Sequence, residues 1–458
     1  LSEPLNRRKI GRYFTLILLL VSLLLSGCAQ NSGTPADTGE QNEDINTGEE
    51  NGMITSAEWN KDETLRILTI GNSFSDDTME YVYQIAKSAG VKKIELSNLY
   101  IGGCTLATHA ANAKGDLPAY EYRTTNSRGG WSTVNNYKMS DAIRSKDWDF
   151  ISMQQASGSS GIPRTYSDLS YMIEYVRSLA NDGAVLVWNM TWAYQQNSTH
   201  SEFTKYESDQ MTMYEMILSA IGSKVDKQKE IKTVSPTGTA IQNARTSFVG
   251  DNMTRDGYHL TYDLGRYAAG LTFFMALTGI SVEGLEYAPA NVDDDHKKVA
   301  IESAVNAINA PRQVTKSAYT SAPSLPEFDE SKYTKLDLGW TALGYWNSTD
   351  GTNHHKIITT ASNSGQFYAS RQFTKDDIPA GSIIVLKSGW LYRPEAWKSE
   401  GAQSGRPDTA TVERFEVTDR WWSGYTTRAF NLSKVGTPAL SANESGIDEA
   451  LVIWVPKK

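Results

Sequence analysis

LRILTIGNSFSDDTMEYVYQIAKSAG, residues 65–90, is the stretch whose reading decides the fold. Leu65 to Ile70 is an apolar, strand-like run ending on Gly71, and a helical pattern follows almost at once. Ser73 stands at that junction. A serine there either caps the helix, its oxygen accepting an orphan backbone N–H, or is a nucleophile presented at the end of a strand. GNSFS lacks the second glycine of the G-x-S-x-G elbow, so an α/β-hydrolase architecture is not indicated.

The alternation of strand and helix patterns continues to about residue 310. Further strands are expected at Ile94–Leu99, Phe150–Met153, Ala184–Asn189 and Ile231–Val234. Helices are expected near Thr78–Ser88, Tyr166–Asn181, Tyr206–Ile221, Leu264–Thr278 and Asp295–Asn309. Gly90, Gly183 and Gly222 sit just past three of them, where a left-handed residue is wanted. This order points to a parallel sheet covered by helices on both faces, with ligands bound beyond the strand carboxyl ends. Residues following Ile70, Leu99 and Met153 then share one rim.

At 458 residues the chain has room for more than one domain. A composition of 40% hydrophobic and 21% charged residues marks its bulk as globular. A net charge of −9 gives no affinity for phosphate backbones, so nucleic acid is not an expected partner. Residues 1–27 read as a signal segment: Arg7, Arg8, Lys9 and Arg12 precede the apolar run Tyr13–Leu25. LSGC, residues 25–28, resembles a bacterial lipobox, which implies lipid attachment at Cys28 and an extracytoplasmic, membrane-anchored location; the plainer reading is a cleaved secretory signal with an incidental cysteine. Residues 28–60 are acidic and poor in apolar groups, as in a solvated tether. An α/β domain is then expected at 61–310, a Pro-, Ser- and Thr-containing linker at 311–330, and a β-rich domain, sandwich-like, at 331–458. With Cys28 and Cys104 the only cysteines, no intrachain disulfide is expected.

RDGYHLTYDLGRYAAGL, residues 255–271, supplies what a serine nucleophile would need. Asp256 and His259 stand three residues apart, close enough in a tight turn for the carboxylate to orient one ring nitrogen while the other faces Ser73. The alternative is a turn aspartate beside a surface histidine. Of the six histidines, His259 is taken as the one with a carboxylate at useful spacing late in the α/β region. Gly102 and Gly103 follow the second strand, and Gln154 and Gln155 follow the third. A backbone N–H and a side-chain amide from these blocks could stabilise an oxyanion; a tight turn and solvated amides are the plainer reading.

In this order the four blocks resemble the SGNH (GDSL-like) hydrolase superfamily over about residues 64–280, in particular the bacterial branch with a G-N-S-F first block and a glutamine third block. The resemblance implies a flavodoxin-like three-layer α/β/α fold and hydrolysis of carboxylic esters without a metal or other cofactor. It further implies Ser73 as nucleophile, His259 as base and Asp256 as its orienting group. Gly102 or Gly103 becomes an oxyanion donor, and Gln154 stands where asparagine is usual, with Gln155 a possible substitute. Two departures stand out: Asn72 replaces the usual aspartate beside the nucleophile, and glutamine is one methylene longer than asparagine. In the implied two-step mechanism His259 must be neutral, so activity falls when the ring is protonated.

The long insertion Thr105–Trp148 and VWNMTWAYQQN, residues 187–197, are rich in aromatics and amides that could wall a sugar-binding cleft or pack on themselves. Seven of the twelve tryptophans lie beyond residue 331 and could be core or a carbohydrate platform. VDDDHKK, residues 292–298, reads as a helix start rather than a cation site, and His354–His355 lack further ligands. The expectation is a membrane-tethered serine esterase removing acetyl groups from an acylated glycan. The alternatives are a non-catalytic carbohydrate-binding lipoprotein and a lipase-like esterase for longer acyl chains.

Overall fold

The apolar run at residue 65 forms the central strand of the larger sheet. In the computed structural model, which describes residues 58–289, 292–321, 328–338, 369–386, 390–397, 414–422, 427–434 and 451–458, the chain opens with Thr64–Gly71 (β1). The signal segment 1–27, Cys28, most of the 28–60 tether, Trp340, Trp346, His354 and His355 lie outside the described residues. After β1 come Ser73–Met79 (α1), Val82–Ser88 (α2), Lys93–Tyr100 (β2) and Leu106–Gly115 (α3). Then follow Tyr120–Thr125 (β3), Trp131–Tyr137 (β4), Met139–Arg144 (α4), Phe150–Met153 (β5), Leu169–Leu179 (α5) and Val185–Asn189 (β6). Gln210–Ala220 (α6), Ile231–Ser235 (β7), Thr237–Arg245 (α7), Leu264–Thr278 (α8) and Asp294–Asn309 (α9) complete the unit.

The sheet order is β4-β3-β2-β1-β5-β6-β7. β2, β1, β5, β6 and β7 are mutually parallel. Counted along the chain, these five run 2-1-3-4-5, the flavodoxin-like order, with its switch point between β1 and β5. Helices α1, α2, α7, α8 and α9 pack together, and α3, α4 and α5 pack together, giving the expected three-layer α/β/α fold. Leu65, Ile67 and Leu68 of β1 are wholly buried, as a central parallel strand requires.

Several local expectations are corrected. The helix expected over Thr78–Ser88 is two helices, parted at Tyr81, whose hydroxyl donates to the Tyr262 carbonyl at 2.7 Å. Gly90 is left-handed (φ 94°), but Gly183 is not, and Gly222 lies within a π-turn, Ile221–Val225, that carries α6 onward. The Thr105–Trp148 insertion is not a loop around a cleft. It supplies α3, α4 and a β3–β4 hairpin that extends the sheet antiparallel from β2. Its aromatics pack on each other, Tyr122 stacking on Tyr137 at 4.4 Å. In the 187–197 stretch, Trp188, Trp192 and Tyr194 are core side chains.

The segment expected as a linker begins by docking on α7: Asn243 Oδ1 accepts the Thr315 N–H at 2.7 Å, and Thr239 Oγ1 donates to the Pro311 carbonyl at 2.7 Å. Beyond it, Tyr333–Lys335 (β8), Ala369–Thr374 (β9), Ile383–Leu386 (β10), Trp390–Trp397 (β11), Arg414–Glu416 (β12), Thr427–Lys434 (β13) and Leu451–Pro456 (β14) form two antiparallel sheets, ordered β12-β10-β14-β8 and β11-β13-β9. Trp421 and Trp422 are buried there, edge to face at 4.7 Å, which makes them core rather than platform. No helix among the described residues is long and apolar enough to cross a membrane.

Candidate active site

Gly71 ends β1 with no room for a side chain: a Cβ there would meet the Ser75 Oγ at 2.7 Å and Cβ at 2.8 Å. The chain then turns directly into α1. Asn72, not Ser73, is the N-cap; its Oδ1 accepts the Phe74 N–H at 3.0 Å. The serine hydroxyl is thereby left for another partner. That partner is His259, whose Nε2 lies 2.8 Å from Ser73 Oγ.

The histidine is held by its own loop. Asp256 Oδ2 lies 2.7 Å from His259 Nδ1, while Oδ1 accepts the His259 N–H at 2.8 Å and the Tyr258 N–H at 3.2 Å. Burial opposes ionisation of Asp256, but the bonds from the His259 ring and the two amides prevail and hold its carboxyl below the ordinary range. Gly257 between them has φ 91°, and a Cβ on it would press into Ser198 at 2.9 Å. The loop is also braced from the segment that follows β6: Trp192 Nε1 donates to the Tyr258 carbonyl at 2.7 Å, and the Trp192 ring stacks on Phe74 at 4.2 Å. The structure thus brings together Ser73, His259 and Asp256, as an unbroken chain of hydrogen bonds.

Gly102 and Gly103 form an exposed turn after β2, closed by the Cys104 N–H donating to the Ile101 carbonyl at 3.2 Å. Asn72 Nδ2 donates to the Cys104 carbonyl at 3.0 Å, which ties this turn to the residue before Ser73. Gln154 and Gln155 are both buried. Gln154 Nε2 donates to Asn72 Oδ1 at 2.9 Å, and its Oε1 accepts from Asn189 Nδ2 at 3.3 Å. Gln155 is fully engaged, accepting from Leu106 and Ala156 amides and donating to Thr165. Its side chain therefore braces loops and has no donor left for a ligand. Burial pushes the Cys104 thiol up to about 12, so it is no rival nucleophile. Burial likewise pulls His109 down to about 4, with its Nδ1 facing the Tyr120 hydroxyl at 3.0 Å.

Some residues that shape the site escaped the sequence reading. Thr237 Oγ1 donates to Asn189 Oδ1 at 2.8 Å, so Thr237, Asn189, Gln154 and Asn72 run as one buried polar chain across the ends of β7, β6, β5 and β1. Asn189 ends β6, Asn72 and Gln154 directly follow β1 and β5, and Thr237 opens α7 just past Pro236 beyond β7; that strand-end position was the available signal. Asp77, fully buried in α1, accepts the N–H of Leu260 beside His259. A second Asp-x-x-His, Asp293 and His296, lies within VDDDHKK. Asp293 caps α9, its Oδ1 accepting the His296 N–H and lying 2.8 Å from His296 Nδ1, which corrects the reading of His259 as the one late histidine so paired. Among the described residues no group of three or more His, Cys, Asp and Glu is placed to hold a metal ion.

Comparison with other proteins places this arrangement in a family. The crystal structure of a DUF4886 family protein from Bacteroides uniformis is 40% identical, with a TM-score of 0.55, covering 57% of this chain and 100% of that one. A candidate SGNH hydrolase from Slackia heliotrinireducens is 18% identical over 47% of this chain and 100% of that one, TM-score 0.30. A catalytic mutant of an acetylxylan esterase from Geobacillus stearothermophilus is 12% identical over 48% and 96%, TM-score 0.31. No curated protein matches the chain. The model of a domain of unknown function, DUF4886, matches residues 66–307, a span that begins within β1, holds Ser73, Gln154, Asp256 and His259, and closes in α9; the chain belongs to the DUF4886 family.

Proposed function

We propose that this chain is a serine ester hydrolase that removes short acyl groups, acetyl foremost, from a glycan at the cell envelope. The observation that carries hydrolysis is the continuous Asp256–His259–Ser73 chain, with bonds of 2.7 and 2.8 Å. His259 Nε2 takes the Ser73 proton as Oγ attacks the ester carbonyl, and the Asp256 carboxylate stabilises the imidazolium that forms. The same ring returns the proton to the departing alcohol. It then activates water, which releases the acid and frees the serine. Ser73 N–H at the head of α1, the Gly102–Gly103 turn and the second amide hydrogen of Gln154 are the groups proposed to meet the oxyanion, a donor of this kind being worth about 3–4 kcal/mol.

A short acyl group is supported by what fills the fold around Ser73. Phe74 stacked on Trp192 and the polar chain from Asn72 to Thr237 occupy the strand ends, all of them buried. A long acyl chain running inward would have to displace them. The glycan and the envelope rest on the N-terminal segment that resembles a lipoprotein signal. Aromatic content, once Trp188, Trp192 and Tyr194 are core, adds no support.

The test is hydrolysis of chromogenic esters of increasing chain length by wild type and Ser73→Ala. Acetyl-ester turnover in wild type, absent in S73A and declining with chain length, supports the reading. Equal background in both proteins favours the carbohydrate-binding alternative, and a rate rising with chain length favours the lipase-like one. Acetate release from a panel of acetylated polysaccharides then identifies the glycan.

A further inference from the structure

The nucleophile and its base come from segments far apart in the chain, and something must hold the two at bonding distance. Their local surroundings do only half of this. Asp256 orients the His259 ring, but both residues sit in one loop, so their bonds leave the loop's distance from α1 unset. Two connections cross from α1 to the loop besides the Ser73–His259 bond itself. One runs through Phe74, whose ring stacks on Trp192, the donor to the Tyr258 carbonyl, and is tilted against the His259 ring at 5.8 Å. The other is Asp77.

Asp77 lies four residues after Ser73, on the same face of α1. Its side chain is 0% exposed. Oδ2 accepts the Leu260 N–H at 2.9 Å, the residue directly after His259. Oδ1 accepts from Arg266 Nε at 2.8 Å and from Arg255 Nη1 at 3.1 Å, and the same Nη1 is 3.3 Å from Oδ2. Arg255 closes the arrangement by also donating to the Leu260 carbonyl. The Arg255 N–H donates to the His259 carbonyl at 2.9 Å, and Thr254 bridges Leu260 antiparallel, so the segment from 254 to 260 is one stiff turn. Both guanidinium groups lie over the Tyr262 ring, at 4.3 and 4.7 Å, and Arg266 pairs further with Glu80 at 3.2 Å.

A wholly buried carboxylate needs its donors, and these donors lie almost entirely on the base's loop or at the start of the helix after it. We propose that Asp77 is a positioning residue for the Ser73–His259 pair: by clamping the loop of Arg255 to Leu260 onto the helix that begins at Ser73, it sets the distance across which the proton moves. The inference rests on the hydrolase reading for its rate consequences, but not for its geometric ones.

The experiment compares wild type with Asp77→Asn and Arg255→Lys, and with Val176→Ala in α5 as a destabilised control remote from the site. Turnover, thermal unfolding and crystal structures are measured for each. A shift of roughly 1 Å in the loop lengthens the Ser73 Oγ–His259 Nε2 distance and lowers kcat by about 100-fold, with KM within about twofold. Arg255→Lys, which keeps a cation but loses the fork, falls between D77N and wild type. V176A keeps the wild-type kcat per folded molecule, which separates positioning from mere destabilisation. Folded D77N with wild-type kcat and an unmoved Ser73–His259 distance overturns the clamp. Should D77N not fold, the same two readouts on R255K decide it. Should wild type hydrolyse no ester, the functional reading fails by itself, and the distance in the variant crystals still decides the clamp.

Discussion

Replacing Asp256 by asparagine separates two jobs done by its two oxygens. Oδ1 receives the His259 and Tyr258 amides, and Oδ2 faces the imidazole Nδ1. Asparagine keeps a carbonyl oxygen for the amides but turns an –NH2 to the ring. The facing nitrogen must then accept, which sends the ring proton to Nε2, where it blocks withdrawal of the Ser73 proton. The charge is lost as well. Unit charges about 4 Å apart interact by about 4 kcal/mol at an effective dielectric of 20. Asp256 is 40% exposed, and solvent screening reduces that to about 2–3 kcal/mol. The charge alone is then worth about 30- to 150-fold in rate. The wrong tautomer carries the total toward about 10⁴-fold. The assay is kcat for an acetyl ester, beside thermal unfolding of the same preparation. Stability should move by less than about 1 kcal/mol, because both amides keep an acceptor. Folded Asp256→Asn working within about threefold of wild type would refute the dyad as the source of activation.

Three further outcomes follow from the same geometry. Gly71→Ala forces a methyl against the Ser75 side chain, at a cost of about 1–3 kcal/mol in urea unfolding, and Ser75→Gly in the same chain should recover most of it; an unshifted midpoint would mean the turn has slack. Asn72→Ala removes an N-cap worth about 1 kcal/mol and leaves the Gln154 amide unpaired for about 1–3 kcal/mol more, so a loss below about 1 kcal/mol in chemical denaturation would contradict the buried polar chain. Burial disfavours the charged form of His296, but its bond to Asp293 outweighs this and raises the imidazole. A raised folded value means its stabilisation is fully present below the unfolded value of about 6.5 and is lost as pH rises through the folded one. The melting-temperature gap between wild type and His296→Asn should therefore be widest in acid and close in base; a gap that widens with pH contradicts this.

The parts of the fold legible in the sequence are those whose burial is uniform. β1, β5 and β6 are covered on both faces and read as mostly apolar runs. The β3–β4 hairpin was not legible because β4 is an edge strand whose central residues, Ser132 to Asn136, are all exposed, so no alternation marks it. Trp188, Trp192 and Tyr194 misled for the opposite reason. Aromatics near strand ends look the same in sequence whether they line a cleft or fill the layer beneath it, and here they fill it. Nothing in the local sequence singles out Asp77, since its donors Leu260, Arg255 and Arg266 are nearly two hundred residues away.

The paired Asp-x-x-His motifs show where sequence stops and geometry begins. Asp256–His259 and Asp293–His296 make the same local contacts: one carboxylate accepts the histidine's amide and faces its Nδ1. At that level both are capping arrangements, and three-residue spacing alone produces them. They differ in what meets the ring from outside. His296 stands edge-on to the Phe248 ring at 5.1 Å, whereas His259 Nε2 meets the hydroxyl of a serine at 2.8 Å. That second partner exists because Asn72 takes over the capping of α1 and because the 255–260 loop is fastened to the same helix. Supplying His296 with a hydroxyl by Phe248→Ser should therefore create no esterase, since the Asp77 clamp and the polar strand-end network are built around Ser73 and His259; ester turnover by Phe248→Ser in a Ser73→Ala background would show that a local Asp–His pair suffices.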